Sequence, residues 1–203
     1  MLMVGISKKV RILRKFSAIA VGAALLLLHV GGQPAGASSQ AFLPQRMHIQ
    51  APDGAEGLCR KYSWACSQAR RSGQLTQQDL QRVSVINKQI NSSTRAVDDQ
   101  SQYRRTEYWA LPSARGGDCE DFALLKKREL IQAGIAPNRL LIATVLDRGR
   151  GGHAVLVLRT DTGDVVLDNL TNRILPWSKT RYTFLRMQDP RSPNRWIGVF
   201  EGG

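Results

Sequence analysis

The spacing of apolar residues changes along the chain. Leu80, Val83, Ile86 and Ile90 recur at close to helical intervals with Asn87 among them, and Thr76 stands where an N-cap belongs. A second helix is predicted to open at Asp118 and to run from Cys119 to Ala133, with Gly134 where a left-handed C-cap glycine would sit. Asp118 is its candidate N-cap, and Asp121 occupies the reciprocal capping position three residues on. Phe122, Ala123, Leu124, Leu125, Leu130 and Ile131 spread widely around this helix, which predicts burial on most sides at its start. Beyond Pro137 the texture becomes one of short β-branched or aromatic runs at 140–146, 153–158, 165–170, 182–187 and 196–200. The stretch 161–164, Asp-Thr-Gly-Asp, is a hairpin turn between two of them. Helices first and an antiparallel sheet afterwards predict an α+β domain. Between the helices, residues 92–117 read as irregular and polar apart from Tyr103, Tyr108, Trp109, Leu111 and Pro112.

The beginning of the chain follows another logic. Lys8, Lys9, Arg11, Arg14 and Lys15 form a basic run, residues 16–28 are apolar, and Ala35-Gly36-Ala37 is the small-x-small pattern of a signal-peptidase site. The apolar run is shorter than the ~20 residues that a spanning helix needs, so residues 1–37 read as a signal peptide. Residues 38–56, polar and dotted with Pro44, Pro52 and Gly54, read as a linker, and 57–203 as the folded domain. The expected location is periplasmic or secreted.

Composition narrows the classes further. At 42% hydrophobic and 22% charged residues, the 203-residue chain is neither a disordered polyelectrolyte nor a multi-span membrane protein. Its formal charge of +13 includes five basic residues of the leader, so the exported part carries +8. That charge suits anionic surfaces. Without zinc-finger spacing, an aromatic RNA-binding strand or a basic helix, no nucleic-acid partner is expected.

Three cysteines remain in an oxidising compartment. Cys59 and Cys66, seven positions apart, are either a disulfide closing one short loop or two buried thiols, and export favours the bridge. Cys119 is then left alone at a helix start, directly after Arg115-Gly116-Gly117-Asp118. Free backbone N–H groups and the helix dipole there favour a thiolate and can receive an oxyanion. The plainer reading is a structural cysteine packed against the sheet. His153 is the one histidine within 57–203 and sits at a strand start after two glycines. It is a candidate base, or an edge histidine that merely satisfies its hydrogen bonds. Asp168 interrupts an apolar strand, where a carboxylate needs a partner. A Cys-His-Asp relay meets that need: the imidazole activates the thiol and the carboxylate fixes the imidazole. The hairpin register resists this reading. Centred on Thr162-Gly163, it places Asp168 opposite Val157, roughly 13 Å along the strand from His153. Contact would need a centre near Thr160-Asp161, by way of a bulge, a lopsided turn or a longer loop.

Three sequence blocks resemble the bacterial transglutaminase-like cysteine proteinases, a family that includes the periplasmic LapG-type proteases. They are Gly117-Asp118-Cys119-Glu120-Asp121-Phe122-Ala123, Gly152-His153-Ala154-Val155-Leu156 and Leu167-Asp168-Asn169-Leu170. The Cys59/Cys66 pair and the Ile86-Asn87…Ile90-Asn91 helix resemble members with an N-terminal helical segment. The resemblance implies a papain/transglutaminase-like core of N-terminal helices packed on an antiparallel sheet. It implies Cys119 as nucleophile, His153 as base and acid, and Asp168 as orienting residue. It also implies calcium dependence, with Asp118, Glu120 and Asp121 as the metal carboxylates. A protein substrate follows, of the large surface-adhesin kind that controls biofilm attachment, together with an inhibitory inner-membrane receptor.

Charge gives such a metal a role, because carboxylates beside Cys119 oppose thiolate formation and Ca²⁺ would cancel their charge. The three acids also suit a helix start with no metal at all. Trp109 is either a wall of the substrate cleft or a core anchor. Two other functions use the same residues: acyl transfer by a transglutaminase or amidase, and a non-catalytic exported module in which Cys119, His153 and Asp168 hold a soft metal.

Overall fold

The computed structural model describes residues 40–69 and 72–203. The basic run, the apolar segment and the cleavage site after Ala37 lie outside the described residues. Among the described residues, seven strands build one antiparallel sheet: β1 (His48–Ile49), β2 (Leu140–Leu146), β3 (Gly152–Arg159), β4 (Asp164–Leu167), β5 (Leu175–Pro176), β6 (Thr183–Asp189) and β7 (Ser192–Gly202). Their spatial order is β1-β7-β6-β2-β3-β4-β5, and each neighbouring pair is antiparallel. The helices are α1 (Leu58–Lys61), α2 (Gln77–Ser93), α3 (Asp99–Tyr103) and α4 (Cys119–Gln132). The α+β expectation holds.

The central strands alternate as a sheet buried on both faces requires. Leu140, Ile142, Leu156, Leu158 and Leu167 join the core shared with Leu58, Val83, Ala123, Leu124 and Leu130 from the helices. Leu141, Ala143, Val145, Val155, Val157 and Val166 point to the opposite face and pack with Leu43, Trp177, Phe184 and Val199.

Helix ends follow the sequence signals in part. Thr76 closes a capping box on α2: its Oγ1 accepts from the Asp79 N–H at 3.1 Å, and Asp79 Oδ2 accepts from the Thr76 N–H at 2.9 Å. Gly134 takes φ 96° after α4, and the Gly134 and Ile135 N–H groups donate to Ile131 O and Leu130 O. That is the left-handed ending that glycine permits.

Lys127 of α4 is fully buried, and its Nζ donates to Gln188 Oε1 at 2.6 Å. Gln188 also receives the Ile142 N–H and donates to Ala65 O and Pro193 O. One amide thus ties α4, β2, β7 and the turn that carries the cystine. Cys59 and Cys66 form that disulfide, with Cα atoms 5.4 Å apart.

Two expectations need correction. From Gln40 onward the segment expected as a linker lies against the domain. Leu43 is buried, its N–H donates to Asp164 Oδ2, the Trp177 indole donates to Gln40 O, and β1 extends the sheet along β7. Backbone hydrogen bonds hold this strap, and they leave little trace in residue type. Within the stretch read as irregular, α3 forms behind Asp98, whose Oδ1 accepts from the Ser101 N–H at 2.7 Å.

Candidate active site

The loop before α4 is shaped by two glycines. Gly116 takes φ 124°, and a Cβ there would stand 2.1 Å from Arg95 O. A Cβ on Gly117 would stand 2.5 Å from Asp121 Oδ2. Only glycine lets this strand of chain run so close to Arg95 and to the first turn of α4. The bridge Ala96↔Gly117 then sets the start of α3 beside the start of α4.

Cys119 is the first residue of α4 and the free cysteine of the domain. Its Sγ accepts from the Ala154 N–H of β3 at 3.3 Å and donates to Glu120 Oε2 at 3.2 Å. Burial raises the thiol pKa, and the charge and hydrogen bond of Glu120 raise it further. The helix start alone therefore does not deliver a thiolate: burial first, and the neighbouring carboxylates second, outweigh it.

His153 is the second residue of β3. Its Nε2 lies 3.0 Å from Asp168 Oδ1, with both side chains nearly inaccessible at 6% and 4%. Asp168 also accepts from the Leu170 N–H at 3.0 Å and, through Oδ2, from the Tyr182 hydroxyl. Burial pushes its pKa up, but the bonds from His153, Tyr182 and Leu170 prevail and hold it below the ordinary value. An ionised Asp168 only accepts hydrogen bonds, so His153 presents Nε2–H to it, and Nδ1 is the ring nitrogen left out of this pair.

The hairpin register lies between the two expected alternatives. Leu156 faces Leu167 and Arg159 faces Asp164, which centres the turn on Asp161-Thr162. By extension Asp168 falls opposite Val155, on the face that His153 shares, and β4 ends at Leu167 so that Asp168 turns toward the ring. No bulge interrupts this pair of strands.

Cys119 and His153 line one cleft of about 380 Å³, with Trp109, Glu120, Gly152, Ala154 and Arg186 among its walls. Trp109 belongs to the core and also borders the cleft. It is 3% exposed and packs edge-on against Trp196 at 5.8 Å.

The acidic residues are arranged differently from expectation. Asp118 occupies the N-cap position of α4 but makes no side-chain cap hydrogen bond. Asp121 turns away and takes the Ala110 N–H on Oδ1 at 2.8 Å, anchoring the segment after Trp109. The carboxylates that converge are those of Asp99, Asp118 and Glu120, each with an oxygen within 4.8 Å of the others. Asp99 thus replaces Asp121 in the group, because α3 delivers it beside α4. Asp99 Oδ1, Asp118 Oδ1 and Glu120 Oε1 are buried without a hydrogen-bond partner. Burial raises the pKa of all three, and the charge of Asp118 raises those of Asp99 and Glu120 further, so that Asp99 reaches about 6. Three orphaned oxygens with mutual repulsion fit a hard cation with oxygen ligands. Among the described residues the side chains close enough together to share a cation are Asp99, Asp118 and Glu120, a set of oxygen donors.

Sequence reasoning missed Asp99 and Tyr182. The capping pattern Asp98-x-x-Ser101 could have placed Asp99 in a helix start, whereas nothing local marks Tyr182.

A family profile described as bacterial transglutaminase-like cysteine proteinase matches residues 46–202. Among solved structures, the calcium-bound form of Legionella pneumophila LapG is similar at 19% identity and TM-score 0.52, covering 76% of this chain and 84% of that one. A second Legionella pneumophila LapG structure is similar at 22% identity and TM-score 0.50, covering 61% of this chain and 70% of that one. Among curated proteins, none matches.

Proposed function

The chain belongs to the bacterial transglutaminase-like cysteine proteinases, and from that premise we propose that it is an exported endopeptidase working through Cys119, His153 and Asp168. The observation that carries the reading is the His153–Asp168 pair at 3.0 Å, set on the strand whose Ala154 N–H holds the Cys119 sulfur. His153 Nδ1 takes the thiol proton, and the sulfur attacks the scissile carbonyl. The resulting oxyanion sits at the α4 N-terminus, where backbone N–H groups point outward. The imidazolium then gives its proton to the leaving amine, and an acyl-enzyme remains on Cys119. Water, deprotonated by His153, attacks that thioester; the carboxylic product leaves and the thiol recovers its proton. Asp168 stays ionised throughout and stabilises the imidazolium.

Asp99, Asp118 and Glu120 would hold Ca²⁺, as their oxygen-only chemistry suggests; one of the structural relatives is itself a calcium-bound protein. Bound there, the ion would supply the positive charge that offsets the carboxylates beside Cys119. The substrate class is a protein of the cell surface, with a large adhesin as the specific proposal. The expected setting is the periplasm, under an inner-membrane receptor that restrains the enzyme.

The test is comparative surface proteomics of cells that express the wild-type chain or Cys119→Ala. A large polypeptide released only by the wild type supports the reading. Equal release by both, with Cys119→Ala folded, overturns it.

A further inference from the structure

The loop that carries Asp168 is held from two distant parts of the chain. Tyr182 stands just before β6, fourteen residues beyond Asp168, and its hydroxyl donates to Asp168 Oδ2. Its ring also lies edge-on to the His153 imidazole, centroid to centroid 5.7 Å. On the other side, Asn91 of α2 donates through Nδ2 to Asp168 O at 2.9 Å, to Thr171 O at 3.2 Å and to Asn172 Oδ1 at 3.0 Å. The carboxylate therefore has each oxygen assigned. Oδ1 serves His153 and the Leu170 N–H, and Oδ2 serves Tyr182. Without the hydroxyl, Oδ2 would lose its one protein partner and the carboxylate could rotate about its terminal bond, which has no sharp rotamer of its own.

We propose that Tyr182, seconded by Asn91, is a positioning residue that locks the Asp168 carboxylate and so the orientation of His153 in the peptidase reaction. This inference rests on the functional reading above. Tyr182 does not reach the thiol; it acts through Asp168. It stays a protonated donor, since burial and the bond to Asp168 both raise its pKa. The other charged groups around the pair are Lys126 of α4, which acts on Asp168, and Arg148 and Asp147 of the β2–β3 turn, which act on Tyr182. Arg173 joins Arg148 in lining the small cavity beside Asp168. None of these is within hydrogen-bond range of the Asp168 carboxylate.

The experiment compares Tyr182→Phe and Asn91→Ala with wild type in peptide hydrolysis, with circular dichroism melting alongside. Tyr182→Phe keeps the ring and removes one oxygen. We expect kcat to fall about tenfold, the low end for one hydrogen bond to a charged group, with KM within twofold and the folded fraction unchanged. Asn91→Ala should lower kcat in the same KM-neutral way. A second readout needs no turnover: in Cys119→Ala protein, the downfield ring N–H proton of His153 in the NMR spectrum should shift and broaden when Tyr182→Phe is added. An unmoved proton resonance with unchanged kcat overturns the proposal, and so does a loss of activity that only tracks the folded fraction. If the wild type hydrolyses no peptide, the protease reading fails, and the resonance still decides whether Tyr182 positions the pair.

Discussion

Removing one charge from the acidic group should make the metal-free protein more stable and the metal-treated protein less responsive. Asp99→Asn is the cleanest change, because Asp99 Oδ2 accepts the Tyr108 N–H and an asparagine carbonyl can do the same. The Asp99 carboxyl is lifted from 3.8 to about 6, first by burial and then by Asp118. Below pH 3.8 both folded and unfolded chains hold the proton, and no penalty exists. Between 3.8 and about 6 the unfolded chain ionises while the folded chain stays protonated, so stability falls as pH rises. Above that window the penalty persists, with a ceiling of about 3 kcal/mol at about 1.36 kcal/mol per pKa unit that solvent screening lowers. For a domain of this size that ceiling corresponds to about 6–12 °C in Tm. Melting in EGTA at pH 7.5 should show Asp99→Asn above wild type by several degrees, with the gap closing near pH 4. Added Ca²⁺ should raise the wild type and move Asp99→Asn much less. The reasoning is refuted if Asp99→Asn melts at or below wild type in EGTA at pH 7.5, or if the gap is the same at both pH values.

Other changes probe the remaining features. Lys127→Met should stabilise the protein at and below pH 7, where burial has lowered the ammonium pKa from 10.5 to about 7; urea melts should show an advantage of at most about 5 kcal/mol that fades toward pH 10.5, and a pH-independent difference would exclude a charge effect. Gly116→Ala should cost at least about 2 kcal/mol because φ 124° and Arg95 O leave no room for a methyl group, and should lower activity by shifting the loop before Cys119; unchanged stability and rate would contradict this geometry. Replacing Cys59 and Cys66 together by alanine opens a loop with a sequence separation of 7, which the chain-entropy relation puts at about 2.5 kcal/mol of stability, measurable by thermal melting with peptide turnover preserved in the folded fraction. Free-thiol counting on unfolded, unreduced wild type should find one thiol, Cys119, and none at Cys59 or Cys66.

Local rules made much of the fold legible. The run 140–146 coincides with β2, Thr76 caps α2 and Gly134 ends α4, because each depends on neighbours within a few residues. Rules of that range failed where a distant backbone supplied the partner. The strap from Gln40 to Ile49 is held by Asp164, Trp177 and β7, so its prolines and polar residues suggested a linker. Asp118 had the right residue type for a cap, but its carboxylate belongs to a group completed by Asp99, nineteen positions earlier. Asp121 looked equivalent to Glu120 in sequence. The helix turns the two apart, one toward the thiol and one toward the Ala110 N–H.

Cys119, His153 and Asp168 show the same division at finer scale. A thiol at a helix start, a histidine after two glycines and a carboxylate in an apolar strand are each visible as residue types out of place. What joined them was invisible, since a hairpin slipped by two residues moves Asp168 by about 7 Å along the strand. The observed centre at Asp161-Thr162 brings the carboxylate within reach of the ring only because β4 stops at Leu167 and the next residue is free to turn. Thr160 helps set that centre: its Oγ1 accepts from the Thr162 and Gly163 N–H groups and donates to Gly163 O, closing the turn. The position of the Asp168 carboxylate is therefore decided at the far end of its strand, by a turn with no chemistry of its own, and Tyr182 and Asn91 then hold it there.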